Sequence, residues 1–309
     1  MGTTLHVRVA APTRAEGIVA IEAVFAEVRR LELVLSTWRD DSEISALNHA
    51  PVGHAVRLSG ELHRLLAEAS AWSARTDGAF DPAVGSLVDA WDLRGEGRRP
   101  SAAELERARR SSGVARFELN AATGSAARQD SAAWLDTGGF GKGAALRGAG
   151  RLLAARGIRA AMLNFGGQVL ALGGDERGHP WRVPVAHPVL RHRPAASLAV
   201  RGRSVSTTSQ SERAVTVGGR RVGHVLDPRS GEPVPAWGSV TVVAEDPVTA
   251  DILSTALLVM GADEALRWAE RQSDVGVLVL EEQDGRVRPR WNDGLEQYLA
   301  DNPILTRGG

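Results

Sequence analysis

Cysteine is absent from this 309-residue chain. That excludes a disulfide framework, a thiol nucleophile, a thiolate zinc site and an iron–sulfur cluster, so any chemistry must come from oxygen and nitrogen groups. Net charge is absent too, because 37 Lys+Arg balance 37 Asp+Glu. Without a basic excess the chain lacks the footprint of sequence-independent nucleic-acid binding, and an anionic ligand must be held locally. No apolar run approaches the roughly 18 residues of a membrane-spanning helix. The N-terminal MGTTLHVRVA lacks the charged-then-apolar pattern of an export signal. The chain as written is therefore expected to be cytoplasmic, or exported or membrane-anchored if a leader was removed. Lysine is almost missing: Lys142 stands alone, and every other basic residue is Arg. A single ammonium among so many guanidinium groups marks a position suited to a compact point charge rather than a planar fork.

What remains is an ordinary globular composition, 43% hydrophobic and 24% charged. Leu5, Val7 and Val9 alternate with polar residues, which predicts a first strand over 4–10. Ile18, Ile21, Val24, Phe25, Val28, Leu31 and Leu35 recur at three- and four-residue spacing and predict a long amphipathic helix over 14–35. Further helices are expected after Ser59, after the capping-box pattern Ser101 to Glu104, and over 142–156, 251–260 and 262–271. Strands are expected over 115–119, 125–129, 160–164, 181–185, 197–201, 214–217, 221–226, 239–244 and 275–280, with Gly218-Gly219 as a hairpin turn and 187–194 as a surface loop. Helices and strands interleave without a repeat or a long linker, so the expectation is one large α+β domain over 1–309, with mixed or antiparallel sheets and packed helices.

Several segments could carry chemistry. Asp136 to Gly143 (DTGGFGKG) precedes a predicted helix, where Gly-rich backbone can bring N–H groups to a phosphate. It is neither a P-loop nor a GxGxxG dinucleotide fingerprint, so the glycines alone favour a packed turn, and it is the sole Lys142, with Asp136 six residues earlier, that shifts the reading to a functional site. Asp251 and Thr255 are four apart at the expected start of a helix, which puts a carboxylate and a hydroxyl on one face. Two such oxygens suit a hard cation such as Mg²⁺, while an Asp in that position can also be a cap. His224, near an expected strand end and before a DPRSG turn, could act as a base near neutral pH. Trp38 and Phe80 are each suited either to stacking on a flat heterocycle or to core packing.

Taken in order, MGTT, STWRDDSEISALN, DGAFDPAVGSLVDAW, LDTGGFGKGAA, NFGGQVLALGG, HVLDPRSGEPV and ADILSTAL resemble the FAD:protein FMN transferase (ApbE-type) family over nearly the whole chain. The resemblance implies an ApbE-like, T-fold-like architecture. It implies an enzyme that binds FAD and Mg²⁺, cleaves the pyrophosphate, attaches FMN to a Thr or Ser hydroxyl of an acceptor flavoprotein, and releases AMP. By motif position Asp251, Thr255 and the Gly139 carbonyl would hold the metal. Met1, Trp38, Ala79, Phe80, Asp81, Asp136, Lys142 and Val225 would line the FAD site, and His224 would be the base. The same residues would also serve an FAD pyrophosphatase using water as acceptor. A noncatalytic flavin-binding protein would be marked by loss of the metal pair or the His, and all three residues are present.

Overall fold

The computed structural model describes residues 2–211, 214–283 and 285–299. The chain forms two compact units, each assembled from separated segments. One comprises Arg30–Gly141 and Gln210–Ala236; the other comprises Gly2–Arg29, Lys142–Ser209 and the chain from Trp237 onward.

The second unit is built on a seven-stranded sheet. Its strands run, in spatial order, Leu5–Ala10, Ala160–Phe165, Gln168–Leu172, Arg203–Ser209, Gly238–Ala244, Gly276–Gln283 and Arg286–Trp291, and every neighbouring pair is antiparallel. Side chains alternate between the two faces of a strand. One face offers Val169, Val205, Val243, Leu278 and Leu280 to a core shared with the hairpin Trp181–Ala186 and Pro194–Val200, which contributes Trp181, Val183 and Leu198. Against the other face packs the helix Pro247–Met260, whose Ser254 hydroxyl meets those of Ser206 and Thr208 at 3.1 and 2.7 Å.

These hydroxyls explain a strand that apolar periodicity does not reveal. Arg203–Ser209 (RSVSTTS) reads as polar, yet Ser204, Ser206, Thr208 and Ser209 are buried. Each is hydrogen-bonded, with Ser204 donating to the Val169 carbonyl and Ser209 to that of Gly238, so burial costs little. Gln168–Leu172 lies inside the NFGGQVLALGG motif and pairs on both sides.

The first unit carries the helices Glu43–His49, Gly60–Arg75, Gly85–Ala90 and Ala102–Arg110. They accompany a three-stranded antiparallel sheet of Val56–Arg57, Ser125–Arg128 and Phe117–Asn120. Ser59 caps its helix through Leu62 N–H, and Ser101 with Glu104 forms the expected capping box. Gly218 and Gly219, with φ of 56° and 76°, close the hairpin Ala214–Val217 and Arg220–Gly223 in the backbone twist that two-residue turns require.

The α+β class with antiparallel sheets and packed helices is as expected. Boundaries differ in three places that matter. Pro194 begins a strand rather than ending a loop. The strand expected over 221–226 stops at Gly223, so His224 sits in the bend beyond it. The helix expected to start at Asp251 begins at Pro247, with Asp246 as its N-cap accepting from Thr249 N–H. Proline at the first turn loses no hydrogen bond there, and it moves Asp251 into the second turn, free of the capping role.

Candidate active site

Lys142, Asp251 and Thr255 come together in the second unit, where the helix Gly141–Ala155 meets the helix Pro247–Met260. Asp251 is almost wholly buried, at 1% exposure. Its Oδ1 accepts from Lys142 Nζ and its Oδ2 from the Gly143 backbone N–H, both at 2.9 Å. Gly143 is required by space: a Cβ there would stand 2.5 Å from the Pro247 carbonyl oxygen and 2.7 Å from Val248 Cα. Arg147 adds a fork, with Nε and Nη2 on the two Asp246 carboxylate oxygens at 2.6 and 2.5 Å. Burial pushes the Asp246 carboxyl up, but Arg147 and the Thr249 N–H outweigh it and hold it below the usual carboxylate range. These links fix the Asp251 carboxylate before any ligand arrives. Thr255, half-buried one turn further along, donates to the Asp251 carbonyl at 3.4 Å, which leaves its oxygen lone pairs available as acceptors.

In the first unit, Trp38 and Asp136 are joined by a residue that sequence reasoning passed over. Arg94 lies with its guanidinium carbon 4.5 Å from the Trp38 ring centroid and 4.3 Å from that of Trp134. Its Nη2 donates to Asp136 Oδ2 at 2.9 Å and to Thr37 Oγ1 at 2.6 Å, and its Nη1 to the Thr37 carbonyl at 3.0 Å. Trp38 is 66% exposed on the surface, with Arg94 over its ring. The other Asp136 oxygen accepts from Gly138 N–H at 2.6 Å, so this carboxylate also shapes the Gly-rich turn. A cavity of about 930 Å³ in the same unit is lined by Thr37, Arg94, Arg107, Arg128 and Trp134 among others. Arg94 is one of many arginines, and only the tertiary structure distinguishes it.

The Ala79-Phe80-Asp81 segment is interior. Phe80 is 4% exposed and packs in the interior. Asp81 accepts from Ala83 N–H, Val114 N–H and Ser73 Oγ, while burial pushes its carboxyl above the usual range. Val225 is buried, with both backbone groups engaged by the Gln210 amide, and it follows half-buried His224. Gly139 lies in the turn before the helix Gly141–Ala155. Met1 lies outside the described residues.

Among the described residues no three His, Cys, Asp or Glu gather to hold a metal. The expected donors are instead one carboxylate, one hydroxyl and one peptide carbonyl. All three are hard oxygens of the kind Mg²⁺ takes while keeping waters and phosphate ligands, so the donor chemistry fits. No helix among the described residues is long and apolar enough to cross a membrane.

Comparison with known proteins places these residues in context. Residues 1–279 match the model of the ApbE family. A FAD:protein FMN transferase of Rhodobacter capsulatus is 32% identical over 280 residues, a match covering 89% of this chain and 52% of that protein. The chain thus spans about half the length of that relative. The flavin transferase ApbE from Vibrio cholerae superposes with a TM-score of 0.85 at 25% identity, covering 97% of this chain and 96% of that one. The ApbE protein from Thermotoga maritima gives 0.89 at 27% identity, covering 97% of each.

Proposed function

The chain belongs to the ApbE family, and on that premise we propose that it is an FAD:protein FMN transferase, dependent on Mg²⁺, that moves FMN onto a Thr or Ser hydroxyl of an acceptor flavoprotein. The observation that carries this reading is the junction at Asp251. A buried carboxylate, the sole ammonium of the chain and a hydroxyl converge where two helices are locked together. That is the equipment for holding a hard cation and a phosphate, and it is built in without a thiol.

In the reaction the acceptor hydroxyl oxygen attacks the phosphorus on the FMN side of the pyrophosphate. A new phosphoester bond forms, the bond to the bridging oxygen breaks, and AMP leaves with that oxygen. His224 accepts the hydroxyl proton, because a neutral hydroxyl is a poor nucleophile. Asp251, Thr255 and the Gly139 carbonyl would hold Mg²⁺, which when bound neutralises charge on the nonbridging oxygens. Lys142 shares its ammonium between Asp251 and the phosphates. Trp38, steadied by Arg94, offers an exposed face for stacking, and Asp136 holds Arg94 in place. Ala79, Phe80, Asp81 and Val225 contribute a rigid wall, since their side chains or backbone groups are already packed or paired. The chain over 1–309 acts as one transferase domain.

The test is incubation with FAD and Mg²⁺, with and without an acceptor domain bearing an Asp-x-x-Thr-Gly-Ala-Thr segment, measuring AMP, free FMN and acceptor mass. AMP matched by a gain of FMN mass on the acceptor is the expected result. Equal AMP and free FMN without an acceptor would replace the reading with FAD hydrolysis, and FAD binding without turnover would replace it with flavin binding alone.

A further inference from the structure

We propose that Gln210 is a positioning residue for His224, hydrogen-bonding the backbone that follows it and packing against the glycine that precedes it. This rests on the reading of His224 as the base. Gln210 immediately follows the strand Arg203–Ser209 and is 3% exposed. Its Nε2 donates to the carbonyls of Val225 and Val234, each at 2.7 Å, and its Oε1 accepts from Val225 N–H at 3.0 Å. Val234 N–H also reaches the Val225 carbonyl at 3.0 Å, and Leu226 bridges Pro233, so the segment after His224 runs antiparallel to 233–234 with the Gln210 amide filling the ladder. On the other side of His224, Gly223 lies against the same side chain. A Cβ at 223 would fall 2.0 Å from Gln210 Oε1 and 2.4 Å from its Cδ. The glycine is there for room, since its φ lies outside the left-handed region.

The amide is the one side chain of this length that supplies both donors and an acceptor. Glu keeps the length and loses the donors, Leu loses both, and Asn is one methylene short. The strand Arg220–Gly223 ends one residue before His224. The Gln210 amide holds the backbone just beyond that end. A base must sit within hydrogen-bond reach of the proton it takes, and a shift of about 1 Å can cost on the order of 100-fold in rate.

The experiment compares the full chain carrying Gln210→Leu, Gln210→Glu, Gly223→Ala, Gln210→Ala and the Gln210→Ala/Gly223→Ala double variant with wild type and His224→Ala. Thermal melting selects the variants that remain folded. At saturating FAD and acceptor, Gln210→Leu and Gly223→Ala are expected to lower kcat at least tenfold and to displace the ascending limb of its pH profile. The FAD dissociation constant should rise by less than the fall in kcat, since Val225, which Gln210 also pairs, is one of several residues of the proposed FAD wall. Gly223→Ala should cost less on top of Gln210→Ala than alone, because the amide that crowds its methyl most is gone and only the Cβ of residue 210, 2.8 Å away, remains to give way. Unchanged kcat and pH profile in folded Gln210 variants, with His224→Ala inactive, would overturn the positioning role alone. Full transfer by His224→Ala would overturn the base reading and this inference with it. A uniform loss of FAD binding with an unmoved pH profile would make Gln210 a structural residue only and would also overturn it.

Discussion

Lys142 Nζ lies 2.9 Å from Asp251 Oδ1, so the only lysine of the chain is paired with one of its most deeply buried carboxylates. The ammonium is 29% exposed in its side chain against 2% for the acid, which means the lysine carries the solvent-facing end of the pair. Removing one member leaves the other poorly compensated. Asp251→Ala is expected to abolish Mg²⁺-dependent transfer and to lower stability by about 3 kcal/mol, as for other broken buried pairs. Denaturant unfolding and the AMP assay check the two effects separately.

Thr255→Val keeps the shape and removes the hydroxyl. Stability should change by less than about 1 kcal/mol, because the lost bond to the Asp251 carbonyl is long at 3.4 Å. The Mg²⁺ concentration for half-maximal transfer should rise at least tenfold, and Thr255→Ser should restore it. A Mg²⁺ titration at fixed FAD decides this.

Gly143→Ala drives a methyl into the Pro247 carbonyl and Val248 backbone. Backbone cannot rotate away as a side chain can. The helix pair should separate, the Gly143 N–H contact to Asp251 should break, and stability should fall by about 1–3 kcal/mol. Transfer should fall with it, measured beside the melting temperature.

Arg94→Ala removes stacking from Trp38 and Trp134 and the partner of Asp136. Each cation–π contact contributes about 0.5–1 kcal/mol at such partly exposed sites. FAD affinity should weaken about tenfold, equivalent to ~1.4 kcal/mol. Intrinsic tryptophan fluorescence should change in the free protein, and Arg94→Lys should recover little, since the planar fork serves three acceptors at once.

Glu104 accepts from the Ser101 N–H and hydroxyl, with Arg98 adding less, and its carboxyl is held down to about 2 from an ordinary 4.5. A lowered folded-state pKa stabilises above the unfolded value, and that contribution is lost as pH falls through the folded one. The melting temperature of wild type should therefore exceed that of Glu104→Gln in full above about pH 4.5. The gap should close as pH falls towards 2. A constant gap across that range would remove the ionised capping box.

Much of the fold was legible because local rules and tertiary needs agree. The amphipathic helix Arg14–Leu35, the Ser59 and Ser101 caps and the Gly218-Gly219 hairpin follow from periodicity, capping and turn chemistry that act over a few residues. The strand Arg203–Ser209 was not legible, because its hydroxyls are acceptable in the interior only when Ser254 and neighbouring carbonyls are there to meet them. The helix Gly85–Ala90 is short and lacks a side-chain cap, so nothing in its sequence marks its start.

The sequence by itself determined which residue types could do chemistry: no thiol, one ammonium, one Asp–Thr pair on a helix face, one His before a turn, and an order of motifs that names a family. Tertiary structure alone decided their company. It paired Lys142 with Asp251, sent Phe80 inward and left Trp38 exposed, moved the cap from Asp251 to Asp246, and put Arg94 and Gln210 beside residues far from them in the chain. The physical reason is one of range. Propensity and periodicity act over a few residues, whereas a buried polar group is acceptable only when partners brought from elsewhere in the chain satisfy it.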